Sequence, residues 1–168
     1  MIREASAKDA GSISKIYNHY VKNTVVTFEE DEVNSEEFIR RISEVKASGL
    51  WWLVALEKDQ VIGYAYSSRW NNRSAYKNTV EVSVYLSCSD ISRGWGTKLY
   101  SELFSKLRGQ GIHSVICCIT LPNPPSVAIR EKFGLQKVGH FKEVGYKFGQ
   151  WLDVGYWQMQ LSSRVVEK

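Results

Sequence analysis

Cysteine is scarce in this sequence, and the little there is does not pair. Cys88, Cys117 and Cys118 form an odd set without CxxC spacing, which speaks against a disulfide framework and against a zinc site. Buried reduced thiols are expected, and no metal. No window approaches the ~18 uninterrupted apolar residues of a membrane span. The opening MIREASAKD also lacks the apolar core of a signal peptide, so a cytoplasmic protein with no membrane partner is expected. Neither sign of charge dominates. The 22 basic and 18 acidic residues leave a net +4, with no basic run interleaved with aromatics, so a nucleic-acid partner is not expected and the charge steers anions weakly at most. Two glycine-rich nucleotide motifs are missing as well: GxxxxGK[ST] is absent, and a GxGxxG reading from Gly94 would need glycine where Leu99 stands.

What is present is apolar periodicity, and its period changes along the chain. A length of 168 residues suits a single domain over 1–168, since a chain of ~150 residues buries roughly two-thirds of its unfolded surface. Ile2 to Ala5 reads as a strand, and Ser6 with Asp9 resembles a capping box before a helix carrying Ile13, Ile16, Tyr17 and Tyr20. A second helix is predicted from Glu36 to Lys46, ended by Gly49. Trp51 to Leu56 and Val61 to Tyr66 read as a hairpin turned at Lys58 and Asp59. From Asn78 to Ser87 the two-residue period sets Val80, Val82, Val84 and Leu86 against Glu81, Ser83 and Tyr85, so Glu81 and Tyr85 share a face. Leu99, Leu103, Phe104 and Leu107 form the stripe of a third helix, and HSVICCIT is a buried strand between Gly111 and Pro122. A short helix from Ser126 to Phe133 and strands over Leu135 to Val144 and Leu152 to Leu161 complete the order β-α-α-β-β-β-α-β-α-β-β. Three antiparallel strands leading into a βαβ crossover imply one mixed α/β (α+β) sheet with helices on both faces.

The glycine pair Gly94-x-Gly96 lies between a strand and a helix start. Such a turn suits a phosphate, because unsatisfied N–H groups and the positive end of the helix dipole face the anion and glycine admits its close approach. Taken alone, an ordinary tight turn is the commoner meaning.

The combination of TVEVSVYL, SRGWGTKLY, LPNPPSVAIREKFGL and EVGYKFGQWLDVGYWQMQL is similar to the GNAT acetyltransferase superfamily. Within it the chain resembles the phosphinothricin and methionine sulfone N-acetyltransferase group, from Ile16 through to Leu161. The resemblance implies a mixed, mostly antiparallel sheet of about seven strands, whose splay holds the pantetheine arm of acetyl-CoA. It places the backbone of Val84, Tyr85 and Leu86 along that arm. It also implies that Ser92, Arg93, Gly94, Trp95, Gly96 and Thr97 wrap the pyrophosphate, and that Asn123 and Ser126 contact the cofactor from the neighbouring strand and helix. Ile91 stands where the family carries Gln or Arg, so Arg93 or Lys98 is expected to supply the missing charge.

For the chemistry, the resemblance implies that Glu81 is the general base for a small-molecule amine acceptor, although a single strand glutamate is more often merely solvated. Arg130 occupies the position of the family's Tyr or His acid; a guanidinium stays protonated and can stabilise a thiolate but not readily donate to it. Tyr100 and Tyr85 are the fallback donors. An acyl-cysteine route is disfavoured, because adjacent strand residues face opposite ways and no base is evident beside Cys117 or Cys118. On the acceptor side the resemblance points to Trp70, Arg73 and Tyr76, with Asn71 replacing one basic residue of a carboxylate clamp, and to Phe28 and Glu29. Lys147, Trp151 and Asp153 are implied to complete the acceptor pocket across a homodimer.

Overall fold

The computed structural model describes residues 1–161; the last seven residues of the expected single domain lie outside the described residues. The strands are β1 (Ile2–Glu4), β2 (Trp52–Glu57), β3 (Gln60–Arg69), β4 (Thr79–Leu86), β5 (Ser114–Leu121), β6 (Gln136–Lys147) and β7 (Gln150–Gln160). The helices are α1 (Ala10–Asn23), α2 (Ser35–Ala47), α3 (Trp95–Gly109) and α4 (Pro124–Lys132). All seven strands form one sheet in the order β1-β2-β3-β4-β5-β7-β6. Every neighbouring pair is antiparallel except β4 and β5.

That parallel pair positions the site. Only Thr79, Val80 and Glu81 pair with Ser114, Val115 and Ile116; from Val82 onward β4 has no partner on that side, and the sheet opens into a V. The β4 alternation is as the two-residue period implies. Glu81, Ser83 and Tyr85 lie across from Ser68, Tyr66 and Tyr64 of β3, and the Tyr85 ring meets Tyr17 and Tyr20 of α1 edge-on. Val80 and Val82 are buried on the opposite face, which α3 covers with Leu99, Leu103, Phe104 and Leu107. Burying four such side chains contributes roughly 1.5–3 kcal/mol each. On the α1 and α2 side the core is aromatic, with Trp52 stacked on Tyr66 at 4.3 Å and Tyr64 on Tyr85 at 5.4 Å.

Both hairpins turn through two consecutive left-handed residues, Lys58 and Asp59 between β2 and β3, and Phe148 and Gly149 between β6 and β7. This geometry matches the right-handed strand twist. The short helix begins two residues earlier than its sequence suggests. Asn123 Oδ1 accepts from the Ser126 N–H, so Pro124 and Pro125 fall in the first turn, where the missing N–H groups cost nothing. The first helix is delayed instead: the Ser6 and Asp9 box caps a 3-10 turn, Ala7–Asp9, before α1.

Candidate active site

The V between β4 and β5 continues into a cleft of about 490 Å³. One wall is Tyr20 and Val26, from α1 and the segment that follows it; the other is Ile129, Arg130 and Lys132 of α4, with Val84, Tyr85 and Leu86 of β4 forming the floor. Of the residues expected to hold a cofactor, Ser92, Gly94, Gly96, Thr97, Asn123 and Ser126 also line the cleft. The Leu86 carbonyl already accepts from the Tyr20 hydroxyl at 2.7 Å, which fixes the Tyr20 wall.

The turn at the head of α3 fits an anion. Gly94 takes φ +79 and Ser92 φ +67, left-handed conformations that fold the chain back over the helix start. No side chain caps that start, so the first-turn N–H groups are left to whatever enters the cleft. A Cβ on Gly96 would stand 3.0 Å from Ile129 Cδ1, so glycine is what keeps the helix start and the α4 wall this close. Arg93 and Trp95 stand apart from the lining. The Arg93 guanidinium forks onto Glu57 at 2.8 Å and also reaches Asp90 at 2.5 Å, while Trp95 carries the Lys98 ammonium over its ring. The cations on the cleft are Arg130 and Lys132; the sequence reading missed Lys132 because a lysine in the last turn of a helix is an ordinary surface residue.

Deeper in, a narrow passage of about 30 Å³ is lined by residues of β4 and β5 from both faces of the sheet. Its lining includes Val84 and Ile119 from one face and Ser83, Cys118 and Thr120 from the other. Arg130 lines both the cleft and the passage. It is 7% exposed, donates from Nη1 to the Ser126 carbonyl at 3.1 Å, and has no hydrogen-bond partner at Nε among the described residues. No carboxylate there pairs with it, so its charge is available to the cleft. Tyr100 is fully buried beneath it, its ring 5.6 Å from the guanidinium carbon. Burial holds the Tyr100 hydroxyl far above the usual phenol value, and Tyr100 lines neither cavity.

Glu81 is half-buried and makes no hydrogen bond or ion pair among the described residues; burial alone raises its pKa above the ordinary carboxylate value. Its charge is felt by Cys118 and Tyr156, which face each other across β5 and β7. A base therefore does stand near one cysteine, contrary to the sequence reading, because register brings β4 and β5 side by side at Glu81. The thiols are also less buried than expected. Cys117 is inside, with burial raising its pKa to about 11, but Cys118 and Cys88 are exposed.

The residues expected around an acceptor fall into three groups. Trp70 packs edge-on against Tyr156 at 5.8 Å, beside the Glu81 face. Arg73 and Tyr76 lie exposed in the β3–β4 connection, and their side chains make no hydrogen bond or ion pair among the described residues. Phe28 lies directly on Gly145, where a Cβ would stand 2.3 Å from its ring. Glu29 is committed: Arg41 grips it with two nitrogens at 2.7 and 3.1 Å, and the Tyr17 hydroxyl donates to it. Lys147 is 2% exposed and donates to the Thr27 carbonyl at 2.8 Å, so it pins the Phe28 segment to β6. Trp151 is 62% exposed against Tyr146, and Asp153 pairs with His140 at 2.7 Å.

Comparison with known proteins gives the same architecture. Residues 2–155 match the family described as Acetyltransferase (GNAT) domain. A phosphinothricin N-acetyltransferase of Streptomyces viridochromogenes is 38% identical over 157 residues, spanning 94% of this chain and 85% of that protein. An L-methionine sulfoximine/L-methionine sulfone acetyltransferase of Salmonella typhimurium is 32% identical over 164 residues, spanning 98% and 96%. The crystal structure of a phosphinothricin acetyltransferase from Sinorhizobium meliloti in complex with acetyl-CoA superposes with a TM-score of 0.95 at 37% identity, over 100% of this chain and 91% of that one. With its seven-stranded, mostly antiparallel sheet splayed between β4 and β5, the chain belongs to the GNAT acetyltransferase family.

Proposed function

We propose that the protein transfers the acetyl group of acetyl-CoA to the primary amine of a small amino-acid-like acceptor, of the phosphinothricin, methionine sulfone or methionine sulfoximine type. One observation carries this reading: the cleft shares its deep end with a passage whose lining takes in Ser83, Cys118 and Thr120 from the sheet face that bears Glu81. The names of the relatives supply the acceptor class.

The residues fit the cofactor. The uncapped start of α3, Gly94 and Gly96 would receive the pyrophosphate with Lys132 opposite, and the unpaired edge of β4 would receive the pantetheine amides. When bound, acetyl-CoA supplies the thioester. Glu81 takes the proton that the acceptor ammonium must lose before its nitrogen can attack, and its raised pKa makes it a stronger proton acceptor than an ordinary carboxylate. The buried charge of Arg130 meets the negative charge that gathers at the departing sulfur, stabilising it without giving up a proton. Arg73, whose side chain has no partner among the described residues, is placed to pair with an acceptor carboxylate. Trp70 and Phe28 wall that side, while the Arg41–Glu29–Tyr17 network and Lys147 hold the Phe28 segment in place.

The β6–β7 hairpin exposes Phe141, Val144, Tyr146, Phe148 and Trp151 together, each more than half accessible. An apolar strip of that extent supports a homodimer formed through this hairpin.

The test is acetyl-CoA-dependent thiol release against L-phosphinothricin, methionine sulfone, methionine sulfoximine, a polyamine and a short peptide. Turnover confined to the first three is the expected result. Turnover on the peptide or polyamine alone overturns the acceptor class while leaving the acetyl transfer.

A further inference from the structure

Cys118 has a setting that the transfer reaction does not use. Its thiol is exposed, whereas that of Cys117, one residue away on the other face of β5, is buried. It lines the narrow passage together with Ser83, Thr120 and Arg130. The passage shares Val84, Tyr85, Asn123, Ser126 and Arg130 with the cleft, so the thiol lies where the cleft ends. Arg130 provides an independent sign that a ligand reaches this point: it is 7% exposed, its Nε lacks a partner among the described residues, and it faces both cavities.

We infer that Cys118 is a redox modification site for coenzyme A, at which the disulfide form of CoA, seated in the cleft, exchanges with the Cys118 thiol and plugs the passage. This inference rests on the reading that the cleft takes CoA. The step is a thiol–disulfide exchange. The Cys118 thiolate attacks one sulfur of CoA disulfide, a Cys118–CoA disulfide forms, and the original S–S bond breaks. The departing CoA thiolate takes up a proton, so one CoA sulfur is reduced as the Cys118 sulfur is oxidised. CoA disulfide is thus the only oxidant required, and a reduced dithiol reverses the step.

The site selects its partner. Although Cys118 is accessible at the surface, loss of water around its sulfur, and then the Glu81 carboxylate, raise the thiol above its ordinary value, and a hydrogen bond from Tyr156 and the Arg130 charge offset this only in part. A disulfide met at random from solution therefore finds little thiolate, and only one held in the cleft at high local concentration reacts well. Arg130, beside the same passage, favours departure of the thiolate. Cys88 is equally exposed but lines neither cavity, which makes it the internal control.

The experiment uses the full chain, incubated with CoA disulfide or with glutathione disulfide, with and without excess acetyl-CoA. It reads intact mass, a peptide map and residual turnover, with thermal stability in acetyl-CoA measured alongside. One CoA adduct is expected, mapping to Cys118 and forming about tenfold or more faster than the glutathione adduct. Acetyl-CoA suppresses it, turnover falls in step with its formation, and dithiothreitol restores both mass and turnover. Cys118→Ser takes no adduct there, and Cys88→Ser takes it unchanged. If acetyl-CoA raises the melting temperature but the adduct is absent, maps to Cys88, or forms equally with glutathione disulfide, this inference is overturned and the cofactor reading stands. If acetyl-CoA leaves the melting temperature unmoved, the cofactor reading fails and the inference fails with it.

Discussion

Replacing Glu81 with glutamine separates catalysis from stability, because the two respond in opposite directions. The carboxylate is half-buried, has no hydrogen-bond partner among the described residues, and is raised in pKa by burial. A carboxyl group whose folded pKa lies above its unfolded value of about 4.3 contributes fully to stability below that value and loses the contribution as pH rises through the folded pKa. Once ionised, Glu81 therefore weakens the fold, and an isosteric amide removes that cost. The difference in melting temperature between Glu81→Gln and the parent should move in favour of the variant from about pH 4 to about pH 7. In catalysis the amide cannot accept a proton. A fall in kcat/KM of roughly 10²- to 10⁴-fold is expected, about 2.7–5.4 kcal/mol of barrier. Thiol release measured from about pH 5 to about pH 9 should show an acid limb in the parent that is missing from the variant. The KM for acetyl-CoA should hold, since Glu81 lines neither the cleft nor the passage. A variant keeping more than about a tenth of kcat/KM with its acid limb unmoved would refute the base assignment.

Gly96→Ala should raise the KM for acetyl-CoA and spare that for the acceptor, because the new methyl pushes Ile129 into the cleft; the helix should lose no stability, as alanine is favoured over glycine by about 1 kcal/mol. Arg73→Lys should raise the acceptor KM with no change in melting temperature, since the Arg73 side chain has no partner among the described residues and a point charge does not reproduce a planar fork; weakened acetyl-CoA binding with an unchanged acceptor KM would put Arg73 on the wrong side. Trp151→Glu should shift the protein to monomer in analytical ultracentrifugation by placing a charge in the exposed strip; an unchanged sedimentation coefficient sinks the dimer as drawn. Asp9 is held below the ordinary carboxylate value first by its hydrogen bonds from Arg3, with Ser6 adding to them. Its contribution is therefore present above about pH 4 and lost as pH falls through the lowered folded pKa. Asp9→Asn should cost about 1.5 kcal/mol or more at neutral pH and flatten that acid limb in chemical denaturation.

Much of the fold was legible because period and punctuation agree locally. The β4 alternation, the α3 stripe and the Lys58–Asp59 turn each carry their own signal within a few residues, and each appears in its place. Element edges were less legible where two rules compete. Pro124 and Pro125 look like breakers until Asn123 is seen to cap the turn they begin. The thiols were misread for a related reason: VICCI within HSVICCIT is an unbroken apolar run, which suggests a strand covered on both faces, yet β5 is exposed at Cys118.

The site was legible as a set of motifs but not as a set of partnerships. Arg93 reads as a phosphate ligand from its neighbours in sequence, yet Glu57, across the β2–β3 turn and 36 residues away, holds it. Glu29 reads as an ammonium ligand, yet Arg41 of α2 neutralises it. Lys147 reads as a pocket cation, yet it is spent on the Thr27 carbonyl. What distinguishes the remaining charged residues is the absence of such a claim. Glu81, Arg130 and Arg73 keep their charge without a carboxylate, guanidinium or ammonium partner among the described residues, and for Arg130, nine-tenths buried, that is an expensive state. The fold pairs Glu29, Arg93 and Asp9 thoroughly and leaves these three without such a partner among the described residues, and the proposed acetyl transfer is what would give their uncompensated charge a use.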